Sequence, residues 1–487
     1  MRIRLVMWLA GKVSLLLGLS MLVPLGISLY FKDGDSLSLL YSMLAALAVG
    51  IALLLIFKIK GEFYLRQREG FMFVTVSWLL AAILGSLPYY LSGVCPDISS
   101  AFFESMSGFT TTGASIFTNV EAVPRGILFW RSLTHWLGGM GIVVLFVAIL
   151  SGGANSSGFQ MYKAEAPGNS LSEKITPKIS DTSKILWITY VVMSFILVLL
   201  LFGGGMSLYD SLCHAFATMA TGGFSTKNIS IGYYDSAYID WVTTVFMILA
   251  GSNLAAFYVL FTKKQISFWK SDEFKFYILV IITATLLITA NLLTNNFYPD
   301  KSLADVIRYS AFQVASIITT TGYATTDFNL WPSFSQLALF ILLFFGGCSG
   351  STSGAIKMSR IVVLLKNTFV ELARLVHPKV VRSVKFNRRS LPPTLVSNVL
   401  QFFTIYIFLF FIGSLVMAAF GMSFTSALTS VASCLGNVGP GLDTVGPMSN
   451  YSAVAPFGKV FLSIYMLLGR LELYTVLVLL VPAVWKK

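Results

Sequence analysis

Ser107-Gly108-Phe109-Thr110-Thr111-Thr112-Gly113-Ala114-Ser115 follows an apolar segment too short to cross a bilayer, and it holds neither a charge nor a metal ligand. The stretch recurs. Met219-Ala220-Thr221-Gly222-Gly223-Phe224-Ser225 is a degraded copy, Thr319-Thr320-Thr321-Gly322-Tyr323-Ala324 a good one, and Leu435-Gly436-Asn437-Val438-Gly439-Pro440-Gly441 a divergent one. Taking Gly113, Gly222, Gly322 and Gly439 as the closing glycines, the copies stand 109, 100 and 117 residues apart. A period that long, framed alike each time, reads as four tandem units of one architecture. Four glycine-terminated loops with free carbonyls are what a ring of backbone oxygens around a cation requires. The bland alternative, small-residue packing notches between helices, accounts for one such cluster but poorly for four.

The 487 residues are 56% hydrophobic and only 11% charged, with mean hydropathy +0.78. A soluble domain carries roughly a quarter charged residues, so the composition is that of a polytopic membrane protein. The net charge of +13 sits in short blocks between apolar runs. Positive-inside topology explains that distribution, and no nucleic-acid partner is implied. Cys95, Cys213, Cys348 and Cys434 lie far apart without a CxxC pair, which points away from a disulfide framework or a zinc site. His135, His214 and His377 share no motif with acids. A lipid-modifying enzyme would need such a constellation, so the expectation is a protein that is not an enzyme and has no bound cofactor. Arg2, Arg4 and Lys12 mimic the start of a signal peptide, but a second apolar segment follows at once, and the first reads as a retained helix.

At about 20 apolar residues per crossing, the chain offers ten spans, near 13–31, 37–57, 71–93, 126–150, 185–206, 240–262, 275–296, 334–365, 394–420 and 456–485. Shorter segments at 97–112, 209–221, 303–321 and 423–438 each precede one of the four loops. They are too short to cross and too apolar for a free loop, as re-entrant half-helices are. Lysine and arginine blocks follow the second, fourth, sixth and eighth spans, while Asp33, Asp35, Asp97, Asp235, Asp327 and Asp443 lie in the opposite loops. Ten spans with both termini cytoplasmic satisfy every loop. The expected fold is therefore all-α and polytopic. Four parallel helix–re-entrant loop–helix repeats (71–184, 185–274, 275–392 and 393–487) surround a pseudo-fourfold central pore, and 1–70 form an N-terminal two-helix unit. Parallel repeats favour a pore over the inverted repeats of many secondary transporters.

Such a filter needs no carboxylate ring. Calcium sites recruit several carboxylates, and Asp443 is the only acid just beyond a loop, so a monovalent ion fits best. Loops simpler than TVGYG predict potassium preference with incomplete exclusion of sodium. In the eighth span, Gly346-Gly347-Cys348-Ser349-Gly350-Ser351-Thr352-Ser353-Gly354 interrupts two apolar runs. Each glycine costs a helix about 1 kcal/mol, so the helix should break there, where it can line a cavity and meet passing ions. GxxxxGK[ST] is absent, which removes a nucleotide-binding reading; a packing kink is the alternative. Matching positions Gly138-Gly139, Gly251-Ser252-Asn253 and Gly469 keep only small residues. Arg470 in the tenth span is costly unless it faces water or a polar partner. It is expected to face the pore and to reach carbonyls of the 346–354 stretch. Glu472, two residues on, points elsewhere on a helix. Lys357 and Arg360 are expected to snorkel, and Glu104, Asp210 and Asp305 to serve at helix ends.

At these residues the chain resembles the Trk/Ktr/HKT superfamily of potassium transporters, and most closely its bacterial TrkH/TrkG branch. The resemblance is carried by the TTTGAS loop, the GGCSGSTSGAIK insert, the LGNVGPG loop and Glu165-Ala166-Pro167-Gly168 running on to Leu186-Trp187. It implies a single-chain pore in the bacterial cytoplasmic membrane, usually a homodimer, with a gating loop in the third unit and a cytosolic TrkA-like nucleotide-binding ring as partner. The family's filter positions fall on Thr111, Thr112 and Gly113; Ala220, Thr221 and Gly222; Thr320, Thr321 and Gly322; and Asn437, Val438 and Gly439. Its pore arginine falls on Arg470. The implied activity is gated uptake of K+, the transported ion, with a sodium- or proton-coupled symporter as the alternative.

Overall fold

The computed structural model describes residues 2–59, 65–141, 179–263, 270–378 and 382–485. The stretch Glu165-Ala166-Pro167-Gly168, and the fourth expected span beyond residue 141, lie outside the described residues.

The N-terminal unit is α1 (Ile3–Ser20), α2 (Leu22–Phe31) and α3 (Ser36–Ile56). The first apolar stretch begins at Ile3 rather than near residue 13, because Lys12 lies over the Trp8 ring, 3.9 Å from its centroid, and does not break the helix. These helices pack on the first repeat, and polar contacts fix them there. Arg2 makes a two-pronged pair with Glu69, Nε to Oε1 at 2.9 Å and Nη2 to Oε2 at 2.8 Å. Asp33 and Asp35 accept from the backbone N–H groups of Arg125 (2.9 Å) and Ile127 (3.0 Å), which cap the helix that starts there.

Four units follow. The first contains α4 (Gln67–Leu91), α5 (Ile98–Phe109) and α6 (Arg125–Gly139). The second contains α7 (Ile179–Gly203), α8 (Leu208–Met219), α9 (Ala237–Ala250) and α10 (Leu254–Lys263). The third contains α11 (Asp272–Thr294), α12 (Leu303–Ile318), α13 (Ser333–Leu342) and α14 (Met358–Val376). The fourth contains α15 (Pro393–Ala419), α16 (Phe424–Gly436), α17 (Pro456–Arg470) and α18 (Tyr474–Leu477).

The re-entrant helices α5, α8, α12 and α16 are 12, 12, 16 and 13 residues long. At about 1.5 Å per residue they fall short of the roughly 30 Å hydrocarbon core. Asp97, Ser207, Ser302 and Ser423 cap them, each accepting from the backbone N–H three residues on. Hydrogen bonds beyond the loops stitch neighbouring units into a closed cycle. Val120 N donates to Asn228 Oδ1 (2.7 Å), Gly232 N to Ala324 O (3.1 Å), Asp443 N to Asn329 Oδ1 (2.8 Å) and Tyr451 N to Ser115 O (2.8 Å).

Three expected spans are not straight. After α9 the chain turns by 96° at Gly251-Ser252-Asn253, and after α17 by 108°. Between α13 and α14 the helix is lost altogether. Six helices among the described residues are long and apolar enough to cross, or up to eight if each bent pair counts once; of the other two expected spans, the eighth is the broken one and the fourth runs beyond the described residues. Small and polar residues at matching depths weaken the helix at the two bends and the break, and at the second bend Glu472 and Leu473 adopt φ of 51° and 58°. The all-α expectation also misses a two-residue hairpin, β1 (Lys385–Phe386) with β2 (Arg389–Ser390), turned by Asn387 and Arg388 at φ 48° and 65°. Positive φ at both turn positions suits the right-handed twist of a tight hairpin.

Candidate functional site

Each re-entrant helix ends in the same way. Thr111, Thr221, Thr320 and Asn437 lie at φ 53°, 52°, 58° and 53°. The next residue's N–H reaches back five residues: Thr112 to Ser107 O (2.9 Å), Gly222 to Ala217 O (2.8 Å), Thr321 to Ser316 O (2.8 Å) and Val438 to Ser433 O (2.9 Å). The left-handed residue itself donates three back, to Gly108, Thr218, Ile317 and Cys434. This pair of bonds is a Schellman helix stop, which usually employs glycine at the left-handed position. Threonine there is strained, and such strain collects at functional sites. In loops one and three a clamp steadies it: Thr110 Oγ1 and Thr112 Oγ1 are 2.8 Å apart, and Thr319 Oγ1 and Thr321 Oγ1 are 2.7 Å apart.

The equivalent turn glycines are Gly113 (φ 80°), Gly223 (79°), Gly322 (80°) and Gly439 (101°). The second loop is therefore offset by one residue from the expected alignment. Gly223, not Gly222, matches Gly113; Gly222 occupies the position of Thr112, Thr321 and Val438. Doubling of the glycine hid that register in the sequence.

These glycines show how the loops meet. A Cβ on Gly113 would collide with the carbonyl oxygen of Gly222, one on Gly223 with that of Thr321, one on Gly322 with that of Val438, and one on Gly439 with that of Thr112. Loop one touches two, two touches three, three touches four, and four returns to one. The ring is closed. Among the described residues none of those four oxygens accepts a hydrogen bond. Nor does any group of three or more His, Cys, Asp or Glu come close enough to hold a metal. Asn437 closes the seam between the last loop and the first, donating from Nδ2 to Thr112 Oγ1 (3.0 Å) and Met466 O (2.9 Å). The twelve positions Thr111, Thr112, Gly113, Ala220, Thr221, Gly222, Thr320, Thr321, Gly322, Asn437, Val438 and Gly439 all lie in these loops, with Ala220 ending its helix rather than turning it.

The stretch Gly346-Gly347-Cys348-Ser349-Gly350-Ser351-Thr352-Ser353-Gly354 packs against the second and third loops. Thr352 Oγ1 bonds Met219 O (3.1 Å) and Thr221 Oγ1 (3.2 Å), and Gly354 N donates to Thr320 Oγ1 (2.8 Å). Cys348 N donates to Gly251 O (2.8 Å). Glu273, buried at the start of α11, accepts from the N–H groups of Ser349 (2.6 Å) and Ser359 (3.0 Å), bracketing the stretch. Arg470 donates to Thr352 O (2.6 Å), Gly138 O (2.6 Å) and Gly139 O (2.7 Å). Lys357 and Arg360 do not snorkel. Both are buried, because Lys357 donates to Ser353 O and Arg360 pairs with Glu472 while lying 3.8 Å over the Phe402 ring.

Glu104 also departs from expectation. It lies within α5 rather than at its end, fully buried, 2.6 Å from Arg131 Nε, and it accepts from Ile116 N (2.9 Å) and Ser115 Oγ (3.1 Å). Asp210 and Asp305 do sit in the first turns of α8 and α12. Sequence reasoning missed Arg131; an arginine inside the apolar run of α6, 27 residues after a glutamate in a re-entrant helix, was the available signal.

The TrkH family model, described as a cation transport protein, matches residues 41–487. The Trk system potassium uptake protein TrkH of Escherichia coli K12 is 38% identical over 491 residues, covering 100% of both chains. The Trk system potassium uptake protein TrkG of the same organism is 31% identical, covering 99% of each. The crystal structure of the potassium transporter TrkH from Vibrio parahaemolyticus superposes with a TM-score of 0.89 at 34% identity, covering 100% of each chain.

Proposed function

The chain belongs to the TrkH family of cation transport proteins, which are membrane transporters rather than enzymes, and from that premise we propose that it takes up potassium through a gated, selective pore. The observation that carries the reading is the closed ring of four loops whose oxygens at Thr112, Gly222, Thr321 and Val438 accept no hydrogen bond from the described residues. Carbonyls so placed replace part of the water shell of a potassium or rubidium ion and fit the smaller sodium ion less well. The re-entrant helices end there, so their negative dipole ends, about half a charge each, add to the attraction for a cation. Uptake is driven by the ion's own electrochemical gradient, about 2.3 kcal/mol per charge for 100 mV.

Residues 346–354 and Arg470 act as the gate. Their support is position: they lie against the second and third loops and tie the third unit to the first and fourth. A sodium- or proton-coupled symporter would want a buried carboxylate free to change partners. Glu104, Glu273 and Glu472 are each committed, to Arg131, to two backbone amides and to Arg360. The protein works as a homodimer in the bacterial cytoplasmic membrane with both termini inside. The basic inner face, which includes Lys366, Arg374, Arg382, Lys385, Arg388 and Arg389, receives a cytosolic TrkA-like nucleotide-binding ring.

Rubidium uptake into proteoliposomes holding only this protein, with and without competing sodium, tests the reading. Uptake that follows the imposed potassium gradient, resists sodium and ignores a pH gradient is expected. Uptake that requires a sodium or proton gradient would overturn the pore in favour of the symporter.

A further inference from the structure

Once the register of the four loops is set by Gly113, Gly223, Gly322 and Gly439, the residue nine positions before each becomes equivalent. Those residues are Glu104, His214, Gln313 and Ser430. All lie on re-entrant helices, and the first three are turned toward the strand that leaves their own loop. Glu104 accepts from Ile116 N (2.9 Å) and Ser115 Oγ (3.1 Å). His214 Nε2 is 2.9 Å from Ser225 Oγ, while its Nδ1 is 2.8 Å from Asp210 O. Gln313, with its amide oriented to donate to Tyr323 O (3.3 Å), accepts from Thr325 N (3.0 Å). Ser430 turns elsewhere, bonding Ala427 O (3.2 Å) and Met422 Sδ (3.8 Å), and in that quadrant Tyr451 takes over, its hydroxyl donating to Gly439 O (2.9 Å). One slot thus holds the outgoing strand of three filter loops, with different chemistry in each.

Only the first slot carries a formal charge, and there a second residue extends its reach. Arg131 on α6 pairs with Glu104 at 2.6 Å, donates from Nη1 to Ser225 O (3.0 Å) and lies 3.5 Å over the Phe224 ring. The pair has side-chain exposures of 4% and 0%. A single buried unit therefore grips Ser115 and Ile116 after the first loop and Phe224 and Ser225 after the second. We propose that Glu104 and Arg131 are positioning residues for ion discrimination, fixing the outgoing strands of two adjacent loops and so the rigidity of half the ring. The inference rests on reading those loops as the filter. Neither side chain touches the ion; each acts through the backbone it holds. Charge-assisted bonds are short and roughly twice as strong as neutral ones, which is why this quadrant governs the stiffness of the ring more than the Gln313 and Ser430 quadrants do.

The test compares Glu104→Gln and Ser115→Ala with wild type in proteoliposomes, reading rubidium uptake, its inhibition by sodium, and thermal midpoint. Glu104→Gln keeps the side chain's shape but leaves Arg131 without its counter-charge. It should lower the rubidium-over-sodium preference about tenfold, the equivalent of one charge-assisted hydrogen bond. Ser115→Ala preserves the ion pair and takes away one grip on the outgoing strand, so a smaller loss of preference is expected. Folded Glu104→Gln protein with wild-type preference would overturn the inference. If that variant does not fold, Ser115→Ala decides: reduced preference supports it, unchanged preference overturns it. Gly113→Ser runs alongside. If it loses discrimination while the others keep it, the filter reading stands and this inference fails; if it too keeps discrimination, the filter reading itself fails.

Discussion

Arg470 Nη1 donates to the carbonyl oxygen of Thr352 at 2.6 Å, while Nη2 spans Gly138 O and Gly139 O at 2.6 and 2.7 Å. One planar guanidinium therefore joins the end of α17 in the fourth unit, the helix-free stretch of the third and the end of α6 in the first. Gly138 and Gly139 end α6 and Thr352 lies in the helix-free stretch; the arginine adds a charged donor to each, although Gly138 O also accepts from Gly141 N (3.0 Å). On the proposed pore reading the arginine also sets a positive charge against the ion's path.

Replacing Arg470 with Ala removes both effects, and hydrogen bonds to a charged group are each worth about 1.5–3 kcal/mol. Rubidium flux through proteoliposomes should rise at least severalfold, and wild-type flux in folded protein would mean this side chain does not hold the gate. Arg470→Lys keeps the charge without the two-pronged geometry and should fall between. Removing residues 347–353 should raise flux further, since the gate and its anchor on Glu273 go together.

Gly113→Ala meets two obstacles. Its φ of 80° disfavours any Cβ, and the added atom would strike Gly222 O. Left-handed backbone alone costs about 1–2 kcal/mol. Sodium should then compete with rubidium roughly tenfold better, with a lowered thermal midpoint. Gly93→Ala, also at positive φ (75°) but with open space around it, should lower stability without touching selectivity.

Glu472→Gln breaks the pair with Arg360, whose side chains are only 12% and 8% exposed respectively. Taking one partner from a buried pair leaves a charge uncompensated and costs about 3–5 kcal/mol. A drop in thermal midpoint by fluorescence-detected chromatography is expected. A midpoint within error of wild type would show that the pair contributes nothing net.

Asp443 lies outside the spans and accepts from the Ser423 and Ser426 hydroxyls, the second at 2.7 Å. The Ser423 bond first and the Ser426 bond next hold its carboxyl below the ordinary 3.8. A depressed folded-state value means the stabilisation is complete above pH 3.8 and disappears as pH falls through the lower folded value. Asp443→Asn should therefore be less stable than wild type at neutral pH, and the two should converge only below pH 3.8. Thermal midpoints across that series check the sign.

The four-unit plan was readable because the chain repeats a glycine-ended turn after four segments too short to cross. The break at 346–354 was readable for a related reason: nine small residues cannot sustain a helix between apolar runs. What escaped was long-range. Gly222 and Gly223 are indistinguishable until the backbone dihedrals choose between them. Glu104 and Arg131 are 27 residues apart, and nothing local announces that they meet. Lys357 and Arg360 read as interfacial cations because their partners, Ser353 carbonyl and Glu472, come from a folded-back stretch and from another unit. The 96° bend falls at Gly251-Ser252-Asn253 and the 108° bend follows the single Gly469, signals too weak to set them apart from continuous spans in the sequence.

The closed ring comes from one chain, so its quadrants need not match. In an assembly of four identical subunits every substitution arrives in quadruplicate. Here the four positions hold three residue types (Thr112 and Thr321, Gly222, and Val438), and drift can visit each wall alone. If the ring is the filter proposed above, permeation can be retuned in quarter steps, an inherited dial with four independent settings instead of one.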